Sequence, residues 1–181
     1  MSEHIVKSYD EQLELINSNL IIMGGLVESQ IKNSIKALED KDTSFAEEII
    51  SDDNKIDELE KDINELAYKI IAMRQPLAND LRTVISALSI ANDLERMGDH
   101  ATNIAKRVAD VKVNLPDAPT LEIVRMGEDA QKMIKDVLDA FVQRSDKLAM
   151  NAWHYDVNID DTYIGIYRDL LKIMSDDPDS V

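Results

Sequence analysis

Carboxylates at helical spacing are the residues of this sequence best equipped for chemistry. Asp53 and Asp57 stand four apart, as do Glu95 and Asp99, and Asp156 and Asp160 repeat the pattern near the end. On a helix each pair projects from one face. Like charges so placed destabilise an isolated helix by about 0.2–0.5 kcal/mol per pair, and either a bound cation or simple hydration can offset that. A set of oxygen donors suits a hard or borderline ion such as Mg²⁺, Mn²⁺ or iron. The competing reading is a solvated acidic face, an ordinary feature in a chain with 36 acids. His100 beside Asp99, and His154 just before Asp156, are candidate peripheral ligands or plain surface residues. A ferritin-type di-metal site would need Glu-x-x-His motifs on paired helices, and the sequence has none. Cysteine is absent, which excludes thiolate metal sites and cysteine nucleophiles. No phosphate-binding loop, glycine-rich dinucleotide loop or serine triad is present.

Five helical segments must position these groups. The first, about Ser8 to Leu38, opens on Ser8 and Glu11 at capping-box spacing and repeats apolar residues every three or four positions from Leu13 to Leu38. The second, about 44 to 73, places Ile49, Ile56, Ile63 and Ile70 seven apart, with Leu59, Leu66 and Met73 between them. This is the seam of a helix packed nearly parallel to its neighbours. Ser44 and Glu47 offer it a second capping box. The third helix is expected to start at Pro76 and reach Val111, with Leu77, Leu81, Val84, Leu88 and Ala91 continuing to Leu94, Met97, Ala101 and Ile104. If helices two and three fold back at Arg74-Gln75, the Asp53/Asp57 and Glu95/Asp99 pairs differ in height by only roughly 5 Å. Four carboxylates then converge on one interhelical groove. Gly98 and Gly24-Gly25 read as points where a neighbouring helix or ligand approaches closely, or as tolerated packing glycines. Helix four covers about Thr120 to Phe141 and helix five about Asp146 to Met174, with Leu148, Ala152, Tyr155, Ile159, Tyr163, Ile166, Leu170 and Ile173 as its seam. Trp153 and the methionines are expected to serve the core.

Composition agrees with an all-α fold. The chain has 5 glycines and 4 prolines in 181 residues and 4% aromatics, too few for the turns and faces of a sheet protein. The net charge of −16 repels phosphate backbones, so nucleic acid is not an expected partner. No basic and apolar leader is visible, and the longest weakly polar stretch, Leu20 to Val27, falls short of the ~20 residues a bilayer span needs. The expectation is a cytoplasmic protein without direct membrane insertion.

Sliding the chain by 103 residues aligns positions 23–57 with 126–160 at nine identities in 35, among them Met23-Gly24 with Met126-Gly127 and Asp53, Ile56 and Asp57 with Asp156, Ile159 and Asp160. Such a period marks a repeated supersecondary unit. The expected organisation is tandem three-helix bundles, the first over residues 1–112, a linker at 113–119, and a second over 120–181 that supplies only two helices. A groove along helices four and five would then call for roughly 35–40 further residues or for another chain.

Two segments, Arg74-Gln75-Pro76-Leu77-Ala78-Asn79-Asp80-Leu81-Arg82 and Asp93-Leu94-Glu95-Arg96-Met97-Gly98-Asp99-His100-Ala101-Thr102-Asn103-Ile104-Ala105, resemble the PhoU family of phosphate-uptake regulators. The resemblance extends over essentially the whole chain. It implies a dimeric cytoplasmic regulator, not an enzyme. Such a regulator works with the ATPase of the phosphate ABC transporter and a phosphate-sensing histidine kinase to repress the phosphate-starvation response. It also implies surface clusters of iron, manganese, magnesium or zinc. Asp53, Asp57, Glu95 and Asp99 match one cluster, and Asp156 and Asp160 half of a second. Arg82, Arg96 and His100 match supporting positions, with the arginines orienting carboxylates. A carboxylate-bridged metalloenzyme and a metal-free helical scaffold are the alternatives.

Overall fold

The computed structural model describes residues 2–40, 44–110 and 117–176, and every described element is an α-helix. They are α1 (Ser2–Asp40), α2 (Ser44–Arg74), α3 (Ala78–Asp110), α4 (Asp117–Val142) and α5 (Asp146–Asp176). The all-α expectation holds, with shifts at the ends. α1 starts ahead of Ser8, because residues 2–8 contain no glycine or proline to stop it. α4 begins before Thr120 and carries Pro119 in its first turn, where a missing N–H costs nothing. Most of the linker expected at 113–119, and Val111, lie outside the described residues.

Pro76 does not open α3. Gln75 (φ 50°) and Ala78 (φ 47°) both adopt the left-handed conformation, so regular helix resumes only after the second. Gln75 N–H donates to Ile71 O at 3.3 Å and Asp80 N–H to Leu77 O at 3.1 Å, closing the corner from both sides. A residue with a β-carbon held left-handed is strained by about 1–2 kcal/mol. At the other hairpin Arg144 (φ 49°) ends α4 in a Schellman turn. Ser145 N–H reaches Ala140 O at 2.9 Å and Arg144 N–H reaches Phe141 O at 3.1 Å, satisfying carbonyls that the helix leaves open. The Ser145 hydroxyl then accepts from Leu148 N–H at 3.3 Å and caps α5.

α1, α2 and α3 each pack on the other two, α4 packs on α1, and α5 packs on α4. The core forms where the seams meet. Ile56, Ile63 and Ile70 are fully buried and Ile49 is 1% exposed, with Leu20, Met23 and Val27 of α1 and Val84, Ala87 and Ala91 of α3 fully buried. The 103-residue offset carries Ile49, Ile56, Ile63 and Ile70 onto Ala152, Ile159, Ile166 and Ile173 of α5. There Ala152 and Ile166 are buried, and Ile159 and Ile173 half-buried. Tyr155 of α5 also donates its hydroxyl to Asp129 of α4 at 2.5 Å, under the Lys132 ammonium 5.0 Å from its ring.

The joint between α1 and α4 shows the duplication in three dimensions. Gly24 faces Leu138 and Ile134, while Gly127 faces Ile35 and Ile31. The offset maps Gly24 to Gly127, Ile31 to Ile134 and Ile35 to Leu138. The two helices therefore meet through a local two-fold arrangement, each inserting branched side chains over the other's glycine.

Several apolar residues depart from the core expected of them. Trp153 (67% exposed), Tyr163 (59%), Met73 (68%) and Leu77 (80%) lie at the surface, as do Met150 and Met174. A groove of about 840 Å³ separates the start of α3 from α4 and α5, lined by Ile85, Ile90, Phe141 and Trp153 among others.

The joint yields a paired prediction. A methyl group at Gly127 would overlap Ile35 Cδ1, whereas nothing lies within 4 Å of one at Gly165. Gly127→Val should lower stability in urea denaturation by about 1–3 kcal/mol through overpacking. Gly165→Ala should raise it by about 0.5–1 kcal/mol, because the mid-helix glycine is replaced at no steric cost.

Candidate functional site

α2 and α3 run as a hairpin folded at residues 75–77, so the acidic pairs on either side of the turn come to face one another. Glu95 reports on their convergence. Its carboxyl is held above the usual value of 4.5, first by burial and then by the charges of Asp99, Asp57, Glu60 and Asp53. Glu95 thus lies within electrostatic reach of Asp53, Asp57 and Asp99, and of Glu60 as well. Asp53, Asp57, Glu60 and Glu95 are half-buried and Asp99 is exposed. No ion pair among the described residues reaches any of the five.

α1 closes the floor of this group. Gln30 is 3% exposed. Its Nε2 donates to Ile49 O at 3.3 Å and to Asp53 Oδ1 at 3.4 Å. Both partners are acceptors, so the amide nitrogen must point at them and the amide oxygen the other way. That Oε1 is buried without a hydrogen-bond partner. It lies against Gly98, where an added β-carbon would sit 3.0 Å from Oε1, 3.1 Å from Ile56 Cδ1 and 3.6 Å from Asp53 Oδ1. Gly98 is thus the point at which α3 closes on α1 and α2, directly behind the carboxylates. One turn along the same stripe the hydroxyl of Thr102, 1% exposed, is also buried without a partner.

The supporting residues sit elsewhere than the resemblance implies. Arg96 turns to Asp93, with Nη1 3.8 Å from Oδ1, on an exposed face. Arg82 reaches Asn79 Oδ1 at 3.4 Å and lines the groove between α3 and α5 together with Asp156. It lies away from the first carboxylate group because α3 rises several turns between Arg82 and Glu95. His100 is exposed, as are Asp156 and Asp160. His154 Nδ1 lies 2.6 Å from Met150 O on its own helix.

Among the described residues, no three carboxylate or imidazole side chains close on a common point that would hold an ion as they stand. The donor chemistry nevertheless fits a hard cation. Glu95 and the four acids whose charges bear on it form no ion pair with a basic side chain among the described residues, and Glu60 accepts from Asn64 Nδ2 at 2.9 Å. Glu60 and Gln30 were the residues missed in the sequence. Glu60 continues the run Asp53, Asp57, Glu60 on one helical face, and Gln30 is an amide set in the buried stripe Met23, Val27, Gln30, Ser34.

Comparison with known proteins follows from this geometry. The family model described as PhoU domain matches residues 20–108 and 123–181. A phosphate-specific transport system accessory protein PhoU homolog of Caulobacter vibrioides is 40% identical, with 100% of this chain and 79% of that protein covered. The Clostridium acetobutylicum protein of the same name is 39% identical, over 97% of this chain and 80% of its own length. Among solved structures, PhoU from Pseudomonas aeruginosa superposes with a TM-score of 0.87 at 35% identity, covering 95% of this chain and 83% of that one. The phosphate transport system regulatory protein PhoU from Streptococcus pneumoniae gives 0.85 at 31% identity, over 93% and 80%.

The electrostatics of the group make a pH prediction. A carboxyl held above its ordinary value favours the fold while protonated and loses that contribution as pH rises through the folded value. Glu95→Gln should therefore raise Tm at neutral pH in chelator-containing buffer. The gain should vanish once pH falls below the ordinary carboxyl value of 4.5.

Proposed function

Because the chain belongs to the PhoU family, we propose that it is an accessory regulator of phosphate-specific transport, acting in the cytoplasm as a homodimer. Its partners in this reading are the ATPase subunit of the phosphate ABC transporter and a phosphate-sensing histidine kinase, and its effect is to repress the phosphate-starvation response. The observation that carries the reading is similarity over the whole chain: relatives named for this transport system align along 97–100% of it. Those relatives are named as accessory proteins, which favours a regulatory role over a catalytic one. Among the described residues no helix is long and apolar enough to cross a membrane. Contact with the transporter is therefore assigned to protein surfaces.

The carboxylate group belongs to the same proposal. Asp53, Asp57, Glu60, Glu95 and Asp99 would hold a metal cation, iron, manganese, magnesium or zinc, with Asp156 and Asp160 contributing to a second site. A bound cation would supply positive charge that ties α2 to α3. The chain's own part would be to keep basic side chains off the acids: Gln30 orients Asp53 from below, Gly98 lets the helices approach, and Arg96 is engaged outside by Asp93.

Two measurements test the two halves. Deleting the gene should leave phosphate-starvation genes expressed in phosphate-rich medium, and complementation should silence them; unchanged expression on deletion rejects the regulatory reading. Separately, Glu95→Ala/Asp99→Ala should strip metal from the purified protein by elemental analysis while circular dichroism stays helical. Equal metal content in variant and wild type rejects the site, and a metal-free wild type makes the protein a scaffold.

A further inference from the structure

Three polar residues are buried among those described, Gln30, Ser34 and Thr102. Ser34 turns its hydroxyl back to Ile31 O at 2.9 Å on its own helix, and the Thr102 hydroxyl has no partner. Gln30 instead crosses from α1 to α2, where Nε2 donates to Ile49 O at 3.3 Å and to Asp53 Oδ1 at 3.4 Å. A carbonyl inside a helix is already served by that helix's own ladder, so the bond to Asp53 is what the amide adds. Its Oε1 finds no donor, and a buried acceptor left unpaired opposes folding.

The repeat shows that packing does not demand an amide at this place. The 103-residue offset pairs Gln30 with Met133 and Ser34 with Val137, so the second copy continues the stripe with apolar side chains. The counterpart of Asp53 there is Asp156, which is exposed, whereas Asp53 is half-buried beside Gln30. The amide in the stripe and the inward-set acid therefore occur together, in the first copy.

We infer that Gln30 is a positioning residue, whose amide holds the Asp53 carboxylate in place for a hard cation although the core would be sounder without it. This rests on the cation reading above and adds to it a residue that acts through Asp53. Removing a hydrogen bond that orients a metal-binding carboxylate typically lowers metal affinity by about 10–100-fold.

The test uses the purified full chain with Mn²⁺ alone as the probe. Gln30→Met brings in the residue type that the second copy carries at the matching position, and it removes the bond to Asp53 and the orphaned oxygen together. The metal-free variant should melt no lower than wild type by circular dichroism, since an apolar group of like shape replaces a poorly paired one. Its Mn²⁺ affinity should fall by about 10–100-fold. Water-proton relaxation by the bound ion should rise, as solvent takes the place that Asp53 leaves. Thr102→Val removes the other orphaned group on this stripe, which makes no hydrogen bond to an acid, and should bind Mn²⁺ as wild type does. Equal affinity in wild type and Gln30→Met overturns the positioning role and leaves the cation reading standing. An equal loss in Thr102→Val puts the effect in core packing and overturns the role too. So does a Gln30→Met chain that melts well below wild type, because the amide then serves the fold. Wild type that binds no Mn²⁺ overturns the cation reading, and the positioning role with it.

Discussion

The fold depends on α1 serving three neighbours at once. α2, α3 and α4 all pack against it, so it must present apolar or small residues to each of them. Met23 and Val27 are fully buried, and Ile31 and Ile35 each 8% exposed. Gly24 gives α4 its seat, and the same contact is returned at Gly127 by Ile31 and Ile35. Branched side chains over glycine bring two helix backbones close enough to exclude water along the contact, the condition for native packing density. Without that joint the α1–α2–α3 unit and the α4–α5 hairpin would share no helix-to-helix packing.

The price of so occupied a helix is visible at Gln30. It sits in the buried stripe of α1, where an apolar residue would be expected, and its amide links the Ile49 carbonyl to the Asp53 carboxylate. Burying an amide with one atom unpaired opposes folding by about 1–3 kcal/mol. Yet its Nε2 also holds Asp53, one of the acids whose charges act on Glu95. The core and the candidate site are therefore one piece of structure: the contact that closes α3 on α1 at Gly98 is also the one that brings Glu95 up to Asp53 and Asp57.

Under the proposed function, a cation held by the carboxylates of α2 and α3 would change the force between those two helices directly. The same hairpin ends in the strained corner at residues 75–78, where the chain exposes Leu77.

The sequence by itself determined the helices, the seven-residue seam of α2 and the 103-residue repeat, because periodicity sets faces before any partner is known. It left Gly98 and Gly24 open between points of close approach and tolerated packing glycines, and the packed neighbours decided for close approach. Tertiary structure alone decided which stripes find a partner. Leu77 continues the α3 pattern yet stands in water because two left-handed residues turn it out. Tyr163 and Trp153 of α5 stay exposed because the described neighbour of α5 is α4 on one side only. Arg96 faces Asp93 rather than the acids because its position on the helix directs it away from α2. Periodicity fixes the direction in which a side chain leaves its helix, and only the packed neighbours fix what it meets there.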